Sequence, residues 1–167
     1  MIRTAYIGIG SNSDPEDNLR RCMSLLRERV VVLSVSGVYE TEACGKTASG
    51  ERYLNAAIAI ETVLPPAEFR KRVLKEIEAR LGRSRADRER VVIDLDLLAY
   101  SGSHALEVRW LCPPESLEQA HVAVPLADIA PGLCHPITGR SLRLMAQPLR
   151  SVACILARPD VVLGGET

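Results

Sequence analysis

The order of the apolar segments is the feature that most limits how this chain can fold. Short apolar runs that are typical of strands alternate with two stretches whose apolar residues recur at helical spacing. Up to Tyr100 this pattern predicts the order β-α-β-β-α-β, the ferredoxin-like arrangement of an α+β protein with an antiparallel sheet. The predicted strands are 4–10, 30–39, 53–62 and 91–100, and the predicted helices are 14–29 and the segment from Pro65 to Leu81.

Prolines, glycines and polar residues mark the boundaries of these elements. Asp14 is expected to cap the first helix, and Pro15 suits its first position. The polar segments 40–52 and 82–90 contain glycine and are expected to be loops, and the length of the first is often associated with function. Beyond the fourth strand we expect a hairpin around 101–104 and a short helix or turn at 125–131. The chain is therefore interpreted as a single domain over residues 1–167 with C-terminal additions.

Composition argues against several classes of partner. The formal net charge is zero, so bulk electrostatics give no reason to expect nucleic acid or an anionic membrane surface. The five cysteines form no CxxC pair, which argues against zinc and against a complete disulfide framework. No apolar run reaches the length of a membrane span. We expect a cytoplasmic protein without nucleic-acid or membrane partners.

Asp94 and Asp96 are the residues with the clearest chemical meaning. At positions i and i+2 of a strand their carboxylates project from the same face, while Leu95 projects from the other. Two carboxylates this close repel each other unless a cation lies between them, and hard oxygen ligands suit Mg²⁺ beside phosphates. A solvated strand face paired with arginine is the alternative for an isolated motif of this kind.

Four arginines shortly before that strand favour the metal interpretation. Arg83, Arg85, Arg88 and Arg90 lie in the second polar loop and could grip the outer oxygens of a polyphosphate. Separately, Tyr53 and Asn55 open the third predicted strand. They could offer an aromatic face and an amide to a flat heterocycle, or they could be ordinary core and edge residues.

These segments together resemble the 6-hydroxymethyl-7,8-dihydropterin pyrophosphokinase family over Thr4 to about Pro136. The segments that carry the resemblance are Ala5-Tyr6-Ile7-Gly8-Ile9-Gly10-Ser11-Asn12, Tyr39-Glu40-Thr41, Tyr53-Leu54-Asn55-Ala56-Ala57, Gly82-Arg83-Ser84-Arg85, Ile93-Asp94-Leu95-Asp96-Leu97-Leu98, Val124-Pro125-Leu126 and Ile129-Ala130-Pro131. The resemblance implies a ferredoxin-like enzyme of folate biosynthesis that transfers pyrophosphate from ATP to the pterin hydroxymethyl group and releases AMP.

The resemblance also implies roles for individual residues. Asp94 and Asp96 would hold two Mg²⁺ ions against ATP, and Arg83 and Arg85 would act with them in catalysis. The pterin would be bound by Thr41, Cys44, Tyr53, Asn55 and His121. The nucleotide would be bound by Glu78, Arg83, Arg85, Arg88 and Arg90.

Departures from the family pattern support an alternative. Pro113 and Gln119 stand where the family carries a nucleotide-contacting His and Arg, and His121 replaces the second pterin-stacking aromatic. The family's Trp and Pro before the aspartate strand are absent from 88–91. The alternative is a diverged homologue that binds a pterin or similar heterocycle with little or no pyrophosphokinase activity. His121 would also be compatible with a different pterin-like alcohol.

Overall fold

The computed structural model describes residues 1–42, 52–84, 86–87, 89–102, 108–151 and 154–164. Within these ranges the strands are β1 (Arg3–Ser11), β2 (Val31–Val35), β3 (Tyr39–Glu42), β4 (Arg52–Thr62), β5 (Asp94–Ser101), β6 (Val108–Trp110) and β7 (Ile155–Ala157). The helices are α1 (Pro15–Arg27), α2 (Pro66–Phe69), a π-helical turn (Arg70–Leu74), α3 (Lys75–Arg80), a 3₁₀ turn (Pro114–Glu118), α4 (Ala120–Ile129) and α5 (Leu142–Leu149).

The strands form one sheet in the order β6-β5-β1-β4-β3-β7, and each neighbouring pair is antiparallel. β4 is long enough for two partners on the same side, β3 along its first residues and β2 along its last. With α1 and the α2–α3 segment between the strands, this confirms the predicted α+β, ferredoxin-like arrangement.

Helices cover both faces of the sheet because the alternating side chains of its strands are apolar on both sides. On one face α1 and the α2–α3 segment bury Leu19, Leu26, Phe69, Leu74 and Ile77 against Ile7 and Ile58. On the other, α4 and α5 bury Val124, Leu126, Leu142 and Met145 against Ala57 and Leu98. The π turn places Phe69 and Leu74, five residues apart, in the same core. Among the described residues no helix could cross a membrane.

The predicted strand 30–39 is wrong as a single element. It is divided into β2 and β3 by Ser36, whose backbone N–H donates to the Ala57 carbonyl at 2.9 Å and whose Oγ accepts the Ala57 N–H at 2.8 Å. Residues 40–42 are strand and not loop. The break lets a single long β4 pair with two short strands, which places the end of β3 beside the start of β4.

Several predicted boundaries also move. β5 starts at Asp94 and not at Val91, because the Ser11 hydroxyl donates to the Val92 carbonyl and Asn12 exchanges hydrogen bonds with Val91. Asp14 precedes α1 as expected but has φ of 41° and no side-chain cap. The helix predicted at 125–131 begins earlier, as α4, with Pro125 inside it. The hairpin expected around 101–104 lies partly outside the described residues.

Candidate functional site

A cleft of about 700 Å³ opens where β1, β3, β4 and β5 meet the start of α4. Six of the predicted site residues line this cleft: Thr41, Tyr53, Asn55, Asp94, Asp96 and His121. Residues far apart in the sequence are thus brought to one surface by the antiparallel sheet. The carboxylate pair and the pair of Tyr53 and Asn55 both line this cleft.

The carboxylate pair lies at the start of β5, opposite two glycines of β1. Gly10 is the register partner of Asp94, and Gly8 is the partner of Asp96. Directly opposed residues in an antiparallel pair place their side chains on the same face, so the glycines leave the space beside both carboxylates open. Sequence reasoning did not foresee this pairing, although the shared spacing of Gly8-Ile9-Gly10 and Asp94-Leu95-Asp96 was visible in the sequence.

Electrostatics around Asp96 favour the binding of a cation. Asp96 is an exposed residue of β5, but the protein around it still reduces the hydration of its carboxylate, and this partial desolvation is the first reason why its pKa is raised above 3.8. Repulsion from Asp94 raises the pKa further, and Glu78 adds to it. Lys75 and Arg70 act in the opposite direction. A divalent cation between the two aspartates would relieve the repulsion between their carboxylates.

The donor set fits Mg²⁺ held jointly with a substrate. In the part of the chain that the structure describes, no group of three or more His, Cys, Asp or Glu residues could hold a metal ion. Two carboxylates alone are too few for a site built entirely from protein, but Mg²⁺ is commonly bound by one or two carboxylates together with phosphate oxygens and water. Asp94 and Asp96 are the residues that would hold it.

The predicted arginine clamp is only partly described. Arg83 lies beside the carboxylate pair, with Nη2 3.9 Å from Asp94 Oδ1. Arg90 turns toward the end of β1, where its Nε donates to Ser13 Oγ at 2.9 Å. Arg85 and Arg88 lie outside the described residues. The predicted phosphate contacts of these arginines therefore stay predictions.

The surroundings of Glu78 do not suit a direct contact with a nucleotide. It is only 4% exposed, and both carboxylate oxygens are engaged inside the fold. Oε1 accepts the backbone N–H of Leu95 at 3.0 Å, and Oε2 pairs with Lys75 Nζ at 2.6 Å. The structure favours a role for Glu78 beneath the carboxylate pair over the direct nucleotide contact predicted from the sequence.

Thr41 and Asn55 form a buried polar pair on the opposite side of the cleft. Asn55 Nδ2 donates to Thr41 Oγ1 at 2.9 Å, and Asn55 and Thr41 are 7% and 6% exposed. A Cβ added to Gly10 would lie 3.1 Å from Asn55 Oδ1, so a side chain there would require this amide to shift by a few tenths of an ångström. Tyr53 is the register partner of Thr41 and lines the same cleft. Cys44, predicted to contact the pterin, lies outside the described residues.

Comparisons with known proteins identify the family of this chain. A family model described as 7,8-dihydro-6-hydroxymethylpterin-pyrophosphokinase (HPPK) matches residues 6–131. The chain belongs to the HPPK family. This assignment confirms the resemblance inferred from the sequence segments.

Two relatives named 2-amino-4-hydroxy-6-hydroxymethyldihydropteridine pyrophosphokinase illustrate the similarity. The one from Methylorubrum extorquens is 40% identical over 144 residues, which is 83% of this chain and 89% of the relative. The one from Aquifex aeolicus is 30% identical over 163 residues, 93% of this chain and 99% of the relative. A crystal structure of Plasmodium falciparum HPPK-DHPS with pteroate has a similar fold, with a TM-score of 0.65 at 11% identity. That match covers 89% of this chain, which spans 44% of the larger Plasmodium chain.

Two of the departures from the family pattern, Gln119 and His121, lie on one wall of the cleft. Gln119 and His121 both line it at the start of α4, whereas Pro113 lies just before the 3₁₀ turn. Burial lowers the pKa of His121 below 6.5, so the ring is neutral at physiological pH. A neutral, half-buried imidazole can still pack against a flat ring.

Proposed function

We propose that this protein transfers pyrophosphate from ATP to the hydroxymethyl group of 6-hydroxymethyl-7,8-dihydropterin and releases AMP, as a step of folate biosynthesis. The observation that carries the proposal is that the Asp94–Asp96 pair and the Thr41–Asn55 pair line opposite sides of the same cleft. One side suits a metal–phosphate group and the other a neutral heterocycle with donors and acceptors. The names of the relatives favour this transferase over a diverged protein that only binds a pterin.

In this reaction the pterin hydroxymethyl oxygen forms a bond to the β-phosphorus of ATP. The bond from that phosphorus to the oxygen that bridges it to the α-phosphate breaks, AMP leaves with that oxygen, and the hydroxyl proton passes to solvent. Such a transfer depends mainly on positioning and on stabilising negative charge. The protein must therefore hold two substrates in line and balance the charge of the triphosphate.

On the nucleotide side, Asp94 and Asp96 would hold two Mg²⁺ ions with the triphosphate. Bound there, Mg²⁺ would neutralise phosphate charge and polarise the reacting phosphoryl group. Arg83, next to Asp94, would contribute positive charge to the same region, and Arg85, Arg88 and Arg90 are proposed to grip outer phosphate oxygens.

On the pterin side, the Asn55 amide is oriented by Thr41 and would hydrogen-bond the edge of the ring. Tyr53 and His121 would pack against its faces, and Cys44 would add a backbone contact. With both substrates bound between these walls, water that could otherwise hydrolyse ATP would be displaced from the reacting groups. We further propose that the enzyme acts as a cytoplasmic monomer without nucleic-acid or membrane partners.

AMP formation is the test. Purified protein is incubated with Mg·ATP and 6-hydroxymethyl-7,8-dihydropterin, and AMP is quantified for the wild type, Asp94→Asn and Asp96→Asn. Both variants are expected to lose AMP formation while they retain pterin binding by fluorescence, because each removes a carboxylate but leaves the amide pocket intact. Asp17→Asn, which changes an exposed carboxylate on α1, is the matched control. A wild type that binds pterin but forms no AMP at any ATP concentration would support the non-catalytic alternative.

A further inference from the structure

Glu78 places a buried carboxylate directly behind the aspartate pair. It projects from α3 and is the hydrogen-bond acceptor for the backbone N–H of Leu95, the residue between Asp94 and Asp96. Its own side chain is 6% exposed. Removing a carboxylate from water is costly unless it is paired and hydrogen-bonded, so this placement requires both of the partners that Glu78 has.

The Leu95 N–H needs such an acceptor because the edge of the sheet is incomplete there. β1 covers one side of β5, but on the other side β6 pairs only with Ala99, Tyr100 and Ser101 in the described part of the chain. A backbone N–H at an unpaired, buried edge must find another partner. The Glu78 carboxylate takes the place of a neighbouring strand at the point where β5 carries the two aspartates.

Lys75 completes this arrangement from the same helix. Its Nζ lies 2.6 Å from Glu78 Oε2, three residues along the helix, and its side chain is 39% exposed. The ammonium balances the charge of Glu78, which would otherwise add a third negative charge beside Asp94 and Asp96.

We infer that Glu78 is a positioning residue for the metal site: through the Leu95 N–H it fixes the backbone between Asp94 and Asp96, and Lys75 neutralises it. This role rests on the proposed function of the aspartate pair. Residues that orient metal ligands from behind commonly contribute strongly to metal affinity. The hydrogen bond holds the backbone of Leu95 in place. Because Asp94 and Asp96 are the two neighbours of Leu95, the same bond sets the direction of both aspartate side chains.

Three variants separate positioning from direct contact with the nucleotide. Glu78→Ala removes the acceptor. Glu78→Gln supplies one carbonyl oxygen for two donors, so it satisfies only one of them. Lys75→Gln combined with Glu78→Gln reproduces both hydrogen bonds without charge, since the amide introduced at position 78 can accept from Leu95 and donate to the amide introduced at position 75. Glu76→Gln, which changes an exposed carboxylate of α3 that pairs with Arg29, is the matched control.

The first readout is binding without turnover. Mn²⁺ affinity is measured by electron paramagnetic resonance in the presence of the α,β-methylene analogue of ATP, and pterin affinity is measured separately by fluorescence. Glu78→Ala is expected to weaken Mn²⁺ binding roughly 10- to 100-fold. Its pterin affinity should stay at the wild-type level, because Thr41 and Asn55 lie on the other side of the cleft. The double variant should recover most of the lost Mn²⁺ affinity.

The second readout is hydrogen exchange of the Leu95 amide. It should be protected in the wild type, exposed in Glu78→Ala and protected again in the double variant. If Glu78→Ala does not fold, the comparison of the double variant with the wild type still tests the inference.

The outcomes distinguish this inference from the proposed function. A wild type that binds Mn²⁺ but forms no AMP would overturn only the proposed function. AMP formation and Mn²⁺ binding unchanged in Glu78→Ala would overturn the positioning role. A double variant that folds, protects Leu95 and still fails to bind Mn²⁺ would overturn it as well, because Glu78 would then act through its charge. A wild type that binds no Mn²⁺ would overturn both.

Discussion

Thr41→Val tests whether the buried Thr41–Asn55 pair prepares the cleft for the pterin. Valine keeps the shape of threonine but removes the acceptor of the 2.9 Å hydrogen bond from Asn55 Nδ2. Since both residues are almost fully buried, the amide loses a partner that water cannot replace. An unsatisfied buried donor costs about 1–3 kcal/mol, so the free energy of unfolding should fall by that amount.

The effect on pterin binding should follow from the same change. An amide that is no longer held by Thr41 must be oriented by the ligand, and a net loss of about 0.5–1.5 kcal/mol corresponds to a roughly two- to tenfold weaker Kd. Kd is measured by fluorescence titration with the pterin alone, and unfolding is measured in urea.

Thr62→Val is the matched control at the opposite end of β4. Thr62 is 7% exposed, and its Oγ1 accepts the Leu64 N–H at 3.1 Å, far from the cleft. It should lose stability without any change in pterin affinity. A Thr41→Val protein that is destabilised yet binds the pterin as tightly as the wild type would refute the role of this hydrogen bond in recognition.

Three further predictions concern other residues of the cleft. Without Mg²⁺, Asp96→Asn should raise Tm at neutral pH, because the folded-state pKa of Asp96 is raised and its ionised form opposes folding. This gain in Tm should vanish as the pH falls through the raised pKa to 3.8. A lower Tm of the variant at neutral pH would contradict the prediction. Wild-type stability should fall as the pH drops below 6.5, because burial lowers the pKa of His121. His121→Phe should remove this part of the pH dependence and bind pterin more tightly. An unchanged melting profile of the wild type from pH 5 to 7 would argue against this role of His121. Gly10→Ala should raise the pterin Kd by about tenfold, since the added methyl would lie 3.1 Å from Asn55 Oδ1, and wild-type affinity would show that the amide position is not critical.

The periodicity of the sequence predicted the order of the main elements because each has a strong local pattern. The apolar residues of α1 and of the α2–α3 segment fall on one face, and the alternation around Asp94 and Asp96 places both carboxylates on the open face of β5. These features depend on neighbours along the chain. They could therefore be predicted without knowledge of tertiary contacts.

The features that were missed depend on contacts between distant segments. The β-branched run before Tyr39 looks continuous, but Ser36 interrupts it by bonding to Ala57. Val91–Ile93 has the composition of a strand, yet Ser11 and Asn12 occupy backbone groups of Val91 and Val92. No local signal revealed either interruption.

Glu78 is the clearest case within the site. At a helical position among charged neighbours it looks like a solvated residue or a nucleotide contact, and only the fold shows that its partner is the N–H of Leu95, 17 residues away. The facing positions of Gly8 and Gly10 likewise follow from the register of β1 with β5. The short strand β7 carries too little periodicity to predict, whereas α5 was missed although its buried residues Leu142, Met145 and Ala146 fall at helical spacing before Pro148.

The identity of the nucleotide product tests the central claim most directly. The enzyme is incubated with Mg·ATP and 6-hydroxymethyl-7,8-dihydropterin, and the products are followed by ³¹P NMR. Attack at the β-phosphorus predicts AMP in amounts equal to a pterin that carries a diphosphate, with both signals absent in Asp94→Asn. Formation of ADP, or release of AMP without a phosphorylated pterin, would contradict pyrophosphate transfer in this cleft.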